Sequence, residues 1–152
     1  MNQVLVIKEH PQQTGMLLGK KFRDLKKRLS NIAYLPAEYP TKTLIRQSNL
    51  IITQTSTAGW EAILLGKPVV VIGKVFYDKY PLVNKFINFE QLRENIRKNN
   101  FLIPEKNTTI KFTAQFYNYC KNGNPYPHKD LYNVNNIRKI IKAIEEEVAK
   151  LM

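Results

Sequence analysis

The chain has 152 residues, of which 43% are hydrophobic and 24% charged, and its formal net charge is +12. A chain of this length and composition buries enough surface for about one globular domain, which excludes disordered, collagen-like and repeat architectures. The single cysteine, Cys120, excludes an intrachain disulfide and a multi-cysteine metal cluster. No apolar run approaches the ~20 residues that cross a bilayer, and the opening residues lack the basic region and the apolar length expected of a signal peptide. We therefore expect a soluble, cytoplasmic protein.

Apolar runs alternate with amphipathic segments through the first half of the chain. A continuous apolar run at residues 4–7 is typical of a strand buried on both faces of a parallel sheet, and further strands are predicted at residues 31–35, 49–53 and 69–73. Spacings of three and four residues, a helix-starting proline and a Gly-Lys-Pro stop predict three helices. They lie at residues 18–29, from Pro40 through Leu44 and Ile45, and at residues 56–65. This alternation predicts an α/β fold, a Rossmann-like parallel sheet flanked by helices with right-handed crossovers.

The second half of the chain predicts only helices. Residues 89–98 and 109–119 form two of them. The third carries a narrow apolar seam stepping by three and four residues, which consists of Val134, Ile137, Ile141, Ile144, Val148 and Leu151. We expect this seam to pack within the chain rather than against a second chain, after a loop at residues 122–130. The predicted organisation is a Rossmann-like core over residues 1–87 and a helical extension, residues 88–152, packing on the same domain.

One cluster of basic residues stands out from the general positive charge. It consists of Lys20, Lys21, Arg23, Lys26, Lys27 and Arg28. Lys outnumbers Arg by 18 to 6 in the whole chain, whereas Arg is the preferred residue for bidentate phosphate contacts, so we expect no nucleic-acid partner. A solvated helix face is the favoured interpretation of residues 20–28, and contact with an anionic membrane surface is the alternative.

Ligands of open parallel sheets bind at the carboxyl ends of the strands, which selects three segments. The first is His10-Pro11, after the first strand. Its imidazole can donate a hydrogen bond to a phosphate or act as a general acid near neutral pH, although a structural histidine is the alternative.

The second segment brings hydroxyl side chains to the start of a helix, at Thr55, Ser56 and Thr57. Hydroxyls and free backbone N–H groups there bind phosphate, and ordinary N-capping is the alternative explanation. Glu61 lies one turn beyond Thr57 on the same face, where it can accept hydrogen bonds from a ribose. In the third segment, Gly73 lets the backbone pass close to a ligand.

Side chains of Lys74 and Tyr77, just after Gly73, are further candidates to face the ligand, and a turn with an aromatic core residue is the alternative.

Several known motifs are absent. The sequence contains no G-x-G-x-x-G, no G-x-x-x-x-G-K-[ST], no G-x-S-x-G and no D-x-D. These absences argue against a dinucleotide site, a P-loop, a serine hydrolase and a diphosphate-binding metal held by aspartates.

Four segments together resemble a known family. They read KEHP at residues 8–11, SNLIITQTSTAGWEA at 48–62, GKPVVVIG at 66–73 and FY at 76–77. In order and spacing they resemble the capsule polysaccharide biosynthesis proteins, which include bacterial Kdo transferases. The His-Pro and Ser/Thr-plus-Glu elements are similar to those of bacterial sialyltransferases and polysialyltransferases.

The resemblance implies the C-terminal, donor-binding half of a GT-B glycosyltransferase. By the resemblance, His10 contacts the donor phosphate and stabilises the departing nucleotide, while Pro11 shapes the turn. Ser56 and Thr57 bind the same phosphate, and Glu61 holds the ribose. The implied donor is a CMP-activated acidic sugar, Kdo or sialic acid, with no metal or other cofactor.

The same resemblance implies a partner for this chain. A full enzyme needs a preceding Rossmann-like domain that binds the acceptor and supplies the general base, so we expect a fragment that binds nucleotide without transferring sugar. We expect it in the cytoplasm, with a possible peripheral position on the inner membrane. Two other functions are alternatives, namely a UDP-sugar epimerase-like domain and a non-catalytic interaction module.

Overall fold

The computed structural model describes residues 3–11, 15, 19–123 and 133–150. These form five strands, β1 (Leu5–Lys8), β2 (Ile32–Leu35), β3 (Ile51–Thr53), β4 (Val69–Val71) and β5 (Asn84–Lys85). They also form six helices, α1 (Lys20–Arg28), α2 (Thr41–Gln47), α3 (Ala58–Leu64), α4 (Phe89–Lys98), α5 (Lys106–Tyr117) and α6 (Val134–Ala149). In this part of the chain no helix is long and apolar enough to cross a membrane. The predicted α/β class is confirmed.

The chain divides into two compact units, residues 1–105 and residues 106–152. The first contains all the described strands and α1 to α4, and the second contains α5 and α6. The division at residue 87, which concerned the extent of the nucleotide-binding core, stays a prediction. Leu18 and residues 124–130 of the predicted last loop lie outside the described residues, as does Leu151 at the end of the predicted seam.

All described strand pairs are parallel, as the β–α alternation predicts. β1 pairs with β2, and β4 lies between β3 and β5, so the strands form two hydrogen-bonded sheets instead of one. The two-residue β5 was not predicted, because its polar Asn84 and Lys85 form no apolar run. The Asn84 amide instead ties β5 to its surroundings, since it donates to Val69 O and Leu102 O and accepts from Leu102 N.

The core of the first unit lies around β4, whose three valines are all buried. α3 packs on β3 and β4 through Ala62 and Ile63, and it also contacts α2, where Ile45 is buried. Gly66 ends α3 with a positive φ of 70°, while its N–H donates to Ile63 O and the next N–H donates to Ala62 O. This is a Schellman C-cap, and it turns the chain directly into β4.

β1 departs from the expected burial. The sequence predicts a strand covered on both faces, whereas Val4, Leu5 and Val6 are 60%, 48% and 37% exposed. A β-branched run specifies extended backbone, but burial depends on which elements cover it. Among the described elements, α3 packs on β3 and β4, whereas no helix packs on β1 to a comparable extent.

The second unit is helical. Half-buried Asn136, Ile140 and Ala143 share one face of α6, and Gly123 lies close to Ile140. Lys121 forms ion pairs with two glutamates of α6, since its Nζ lies 2.8 Å from Glu146 Oε2 and 3.3 Å from Glu147 Oε1. The apolar residues of the predicted seam lie on another face and are exposed, namely Val134, Ile137, Ile141, Ile144 and Val148. The expected packing of this seam is not seen within the described residues.

Candidate functional site

The β3–α3 loop, residues 54–57, and Gly73 lie side by side at the carboxyl ends of β3 and β4. Gly73 N donates to Gln54 O at 3.0 Å, continuing the pairing of the two strands. A Cβ on Gly73 would lie 2.8 Å from Gln54 O and 3.0 Å from Thr55 Cγ2, so there is no room for a side chain. The sequence predicts that Gly73 permits a close backbone approach, and in this structure the approaching backbone belongs to the β3–α3 loop.

Ser56 is held by hydrogen bonds on three sides. Its N–H donates to Thr53 Oγ1 at 3.2 Å, and its carbonyl accepts from Tyr77 Oη at 2.7 Å. Its Oγ accepts from Ala58 N at 3.1 Å, which makes Ser56 the residue that caps α3. A hydroxyl that accepts one hydrogen bond still has its own hydrogen to donate. The Ser56 hydroxyl is therefore fixed in position while it remains able to donate to an anion.

Tyr77 supports the β3–α3 loop from the protein interior. Its side chain is fully buried, and its ring packs against Trp60 and Phe76 with centroid distances of 6.0 Å and 5.0 Å. Burial raises the pKa of Tyr77 to about 12. The sequence leaves two interpretations of Tyr77 open, a ligand contact and an aromatic core residue. The structure buries its ring and directs its hydroxyl to the Ser56 carbonyl. The sequence pattern alone does not determine the direction of a side chain that follows a strand.

The start of α3 differs from a helix end with free N–H groups. Ala58 N donates to Ser56 Oγ, and Gly59 N donates to Ser56 O at 3.3 Å. Two of the N–H groups that were expected to bind phosphate are therefore already paired within the chain. Thr57, the residue directly before α3, has a helical backbone and makes no side-chain capping bond. The hydroxyl groups of Thr55, Ser56 and Thr57 are the side-chain donors that this loop offers.

The remaining predicted residues of this region are exposed. Thr55 and Thr57 present their side chains to solvent, and Glu61 does so in the first turn of α3. Glu61 N donates to Thr57 O at 3.0 Å, so the two residues are one helical turn apart as expected. Lys74 is exposed as well. Contacts of these side chains with a nucleotide stay predictions.

His10 and Pro11 lie at the carboxyl end of β1 and are both exposed. The backbone before them is anchored, because Glu9 N donates to Leu35 O and Lys8 Nζ donates to Glu9 O and Ala37 O, both at 2.9 Å. Lys8 therefore holds the backbone before His10, a role that no sequence motif indicates. β1 and β3 belong to different sheets, and the convergence of His10 with Ser56 on one ligand stays a prediction.

Two further features bear on ligand binding. In the described ranges, no group of three or more His, Cys, Asp and Glu side chains is arranged to hold a metal ion. A cavity of about 20 Å³ lies beside β5 and α4, lined by residues that include Asn84, Leu92 and Phe101. Ligand pockets for small molecules are typically about 300–1,000 Å³, so this cavity is too small for a nucleotide. The exposed loop ends remain the candidate site.

Comparison with known proteins points to one family. The family model described as capsule polysaccharide biosynthesis protein matches residues 2–130. The capsule polysaccharide export protein KpsS of Escherichia coli is 38% identical over 81 residues, which cover 49% of this chain and 20% of KpsS. Protein FixF of Sinorhizobium fredii is 27% identical over 117 residues, which cover 77% of this chain and 27% of FixF. No solved structure matches the chain.

The family match contains every residue of the candidate site. The chain spans about a fifth to a quarter of the length of the two curated relatives, 20% and 27%. The match nevertheless runs from before β1 through α5, across both groups of loop ends, and it supports a role in capsule synthesis. With this match, the resemblance that the His-Pro, Ser-Thr and Gly-Lys-Pro segments predict is confirmed: the chain belongs to the capsule polysaccharide biosynthesis protein family.

Proposed function

We propose that this chain is the nucleotide-sugar binding domain of a metal-independent bacterial glycosyltransferase for capsular or surface polysaccharide. The proposed donor is a CMP-activated acidic sugar, Kdo or sialic acid. The observation that carries the proposal is Ser56, whose backbone and Oγ are held by Thr53, Tyr77 and Ala58 while its hydroxyl hydrogen stays available. Membership of the capsule polysaccharide biosynthesis protein family supports the proposed role in capsule synthesis.

The chemistry follows from the charge that develops on the leaving group. When the sugar departs from a CMP donor, the bond to the phosphate oxygen breaks and negative charge grows on that phosphate. Donors that are already in place stabilise this charge without reorganisation. Ser56 and Thr57 are proposed to donate to the phosphate from the β3–α3 loop, and His10 donates from the end of β1. Glu61 accepts hydrogen bonds from the ribose.

Binding and deprotonation of the acceptor are assigned to another domain of the enzyme. No carboxylate of this chain is proposed as the base that deprotonates the acceptor hydroxyl. We propose that a preceding domain of the full enzyme binds the acceptor and supplies this base, consistent with the relatives being several times longer than the matched part. The chain alone is then expected to bind the nucleotide and not to transfer sugar.

Calorimetric titration of the chain with CMP, UDP and inorganic phosphate tests the proposal. We expect saturable CMP binding that weakens about tenfold in His10→Ala and in Glu61→Ala, because each loses a hydrogen bond involving a charged partner. Glu90→Ala, which removes an exposed carboxylate in the first turn of α4, is the matched control and should bind CMP normally.

Each other result has a defined reading. Stronger binding of UDP than of CMP would favour a UDP-sugar epimerase-like domain. A folded chain that binds no nucleotide would contradict the proposal and favour a non-catalytic interaction module. Binding that is unchanged in both variants would place the nucleotide away from His10 and Glu61.

A second part of the proposal concerns location. The described basic side chains of α1 are all exposed, namely Lys20, Arg23, Lys26, Lys27 and Arg28. Phe22 and Leu25 of the same helix are half-buried, and Phe22 packs edge-on against Tyr34 with a centroid distance of 5.5 Å. The basic face of α1 is therefore turned to solvent, and we propose that it contacts the anionic cytoplasmic face of the inner membrane, where polybasic surfaces bind.

A further inference from the structure

We infer that Tyr77 and Thr53 are positioning residues for phosphate recognition, which act by fixing Ser56 without touching the ligand. This inference rests on the proposed function, because it assigns a purpose to the hydrogen bonds behind the Ser56 hydroxyl. It also changes the assignment of Tyr77 from a ligand contact to a support. The physical basis is the way in which one residue is held at its nitrogen, its carbonyl and its side chain.

Ser56 is the residue of the β3–α3 loop that is hydrogen-bonded to β3, to α3 and to the segment after β4. Thr53, the last residue of β3, is buried and accepts from Ser56 N. Tyr77 reaches Ser56 O from a segment 21 residues further along the chain, so this bond joins the loop to the segment after β4. With both bonds in place, the peptide groups on the two sides of Ser56 cannot rotate freely, and its Oγ stays over Ala58 N.

The position of the Tyr77 hydroxyl is itself tightly constrained. Gly59 leaves the space that this hydroxyl occupies, since a Cβ on Gly59 would collide with Tyr77 Oη and would lie 2.9 Å from Thr53 Cγ2. The Trp60 ring lies beside the Tyr77 ring, with an interplanar angle of 32°. Tyr77, Thr53 and Gly59 thus form one packed unit under Ser56. A glycine in the first turn of a helix lowers helix propensity, and this packing gives it a structural reason.

The inference makes a prediction specific to the phosphate group. A tyrosine that contacts the base or the ribose would affect the binding of cytidine as well as that of CMP. A tyrosine that only positions Ser56 affects the part of the affinity that the phosphate contributes. Loss of either supporting bond should therefore weaken CMP binding while cytidine binding is unchanged.

The experiment uses two near-isosteric variants, Tyr77→Phe and Thr53→Val, each of which removes one hydrogen bond to Ser56. We expect each to bind CMP about threefold to tenfold more weakly than the unmodified chain and to bind cytidine equally well. Tyr34→Phe is the matched control, because it deletes a tyrosine hydroxyl from the same compact unit without touching the loop. A cooperative unfolding transition, monitored through Trp60 fluorescence, verifies that each variant is folded.

Amide hydrogen exchange at Ser56 and Ala58 tests the positioning role without a nucleotide. Exchange should be faster in Tyr77→Phe and Thr53→Val and unchanged in Tyr34→Phe. If the unmodified chain binds no CMP, the proposed function fails, and faster exchange still supports the positioning of Ser56. If the unmodified chain binds CMP and both variants bind it equally well, or lose cytidine and CMP binding alike, the inference is overturned. Unchanged exchange at both amides overturns it as well.

Discussion

The Tyr77 hydroxyl donates to the Ser56 carbonyl oxygen at 2.7 Å, and this bond joins the two loops that leave β3 and β4. The donor is a neutral phenol, so the bond exists only while Tyr77 keeps its proton. Burial raises the pKa of Tyr77 to about 12, well above the ordinary value of 10.0. The folded chain therefore holds the proton at pH values where the unfolded chain releases it.

This shift predicts a loss of stability at high pH. Between about pH 10 and pH 12 the unfolded state has released the Tyr77 proton and the folded state has not, so stability falls as pH rises through this range. Below pH 10 the stabilisation is complete. Denaturant unfolding at several alkaline pH values, compared between the unmodified chain and Tyr77→Phe, measures the contribution. The two chains should lose stability in parallel if Tyr77 titrates normally, and that result would contradict the buried position.

Gly73→Ala is expected to damage the site and the fold together. The added Cβ would lie 2.8 Å from Gln54 O, a backbone atom, so the loop or the end of β4 must move. Overpacking of this kind costs about 1–3 kcal/mol. We expect the free energy of unfolding to fall by that amount and CMP binding to weaken, measured by urea titration and calorimetry. Full stability with normal CMP binding would show that Gln54 and Gly73 are not held together in solution.

The order of the elements could be predicted from the sequence because their signals are local. The valine run of β4 follows a Gly-Lys-Pro helix stop, and Pro40 precedes α2, so the element boundaries agree with the structure to within a few residues. β5 could not be predicted, because its pairing depends on the contacts of Asn84 with Val69 and Leu102. Those contacts exist only once distant segments have met.

The candidate site could be predicted only in part, because some of its features also depend on contacts between distant segments. Strand ends select Ser56, Gly73 and His10 by position, since the carboxyl ends of parallel strands mark ligand sites. The direction of the Tyr77 side chain and the pairing of the first N–H groups of α3 depend on tertiary packing. The requirement for glycine at position 59 is visible only beside the Tyr77 hydroxyl.

Tyr34→Phe is expected to leave the chain equally stable or to stabilise it. Within the described residues the Tyr34 hydroxyl is buried without a hydrogen-bond partner. Burial, followed by the negative charge of Glu9, raises the pKa of Tyr34. An unsatisfied buried polar group costs about 1–3 kcal/mol, so its deletion should raise the free energy of unfolding by up to that amount. Urea unfolding measures this change, and a clear destabilisation would show that the hydroxyl has a partner in solution.

Gly66→Ala tests the end of α3. Gly66 has a φ of 70°, and a Cβ there would meet no atom within 4 Å, so the cost comes from the backbone conformation alone. A residue with a Cβ in the left-handed region costs about 1–2 kcal/mol, and we expect unfolding to become easier by that amount. Gly66→Asn should lose less, because asparagine tolerates this conformation better. Equal losses in the two variants would point to a cause other than the positive φ.

Removal of positive charge from α1 tests the proposed membrane contact. The triple variant Lys26→Gln, Lys27→Gln, Arg28→Gln removes three exposed charges at the end of α1. Each basic residue near an anionic surface contributes about 1 kcal/mol, so binding to phosphatidylglycerol-containing vesicles should weaken by roughly a hundredfold. Sedimentation with vesicles at low and high salt measures this binding, which should fall as salt rises.

The matched control for α1 lies on α6. Arg138→Gln, Lys139→Gln and Lys142→Gln together remove the same net charge from another exposed surface. If the membrane is recognised by the basic face of α1, this variant keeps most of its vesicle binding. If both triple variants lose binding equally, the net charge of +12 acts as a whole and α1 has no special part in it. If neither variant loses binding, the charge does not attach this chain to lipid, and the proposed peripheral position is contradicted.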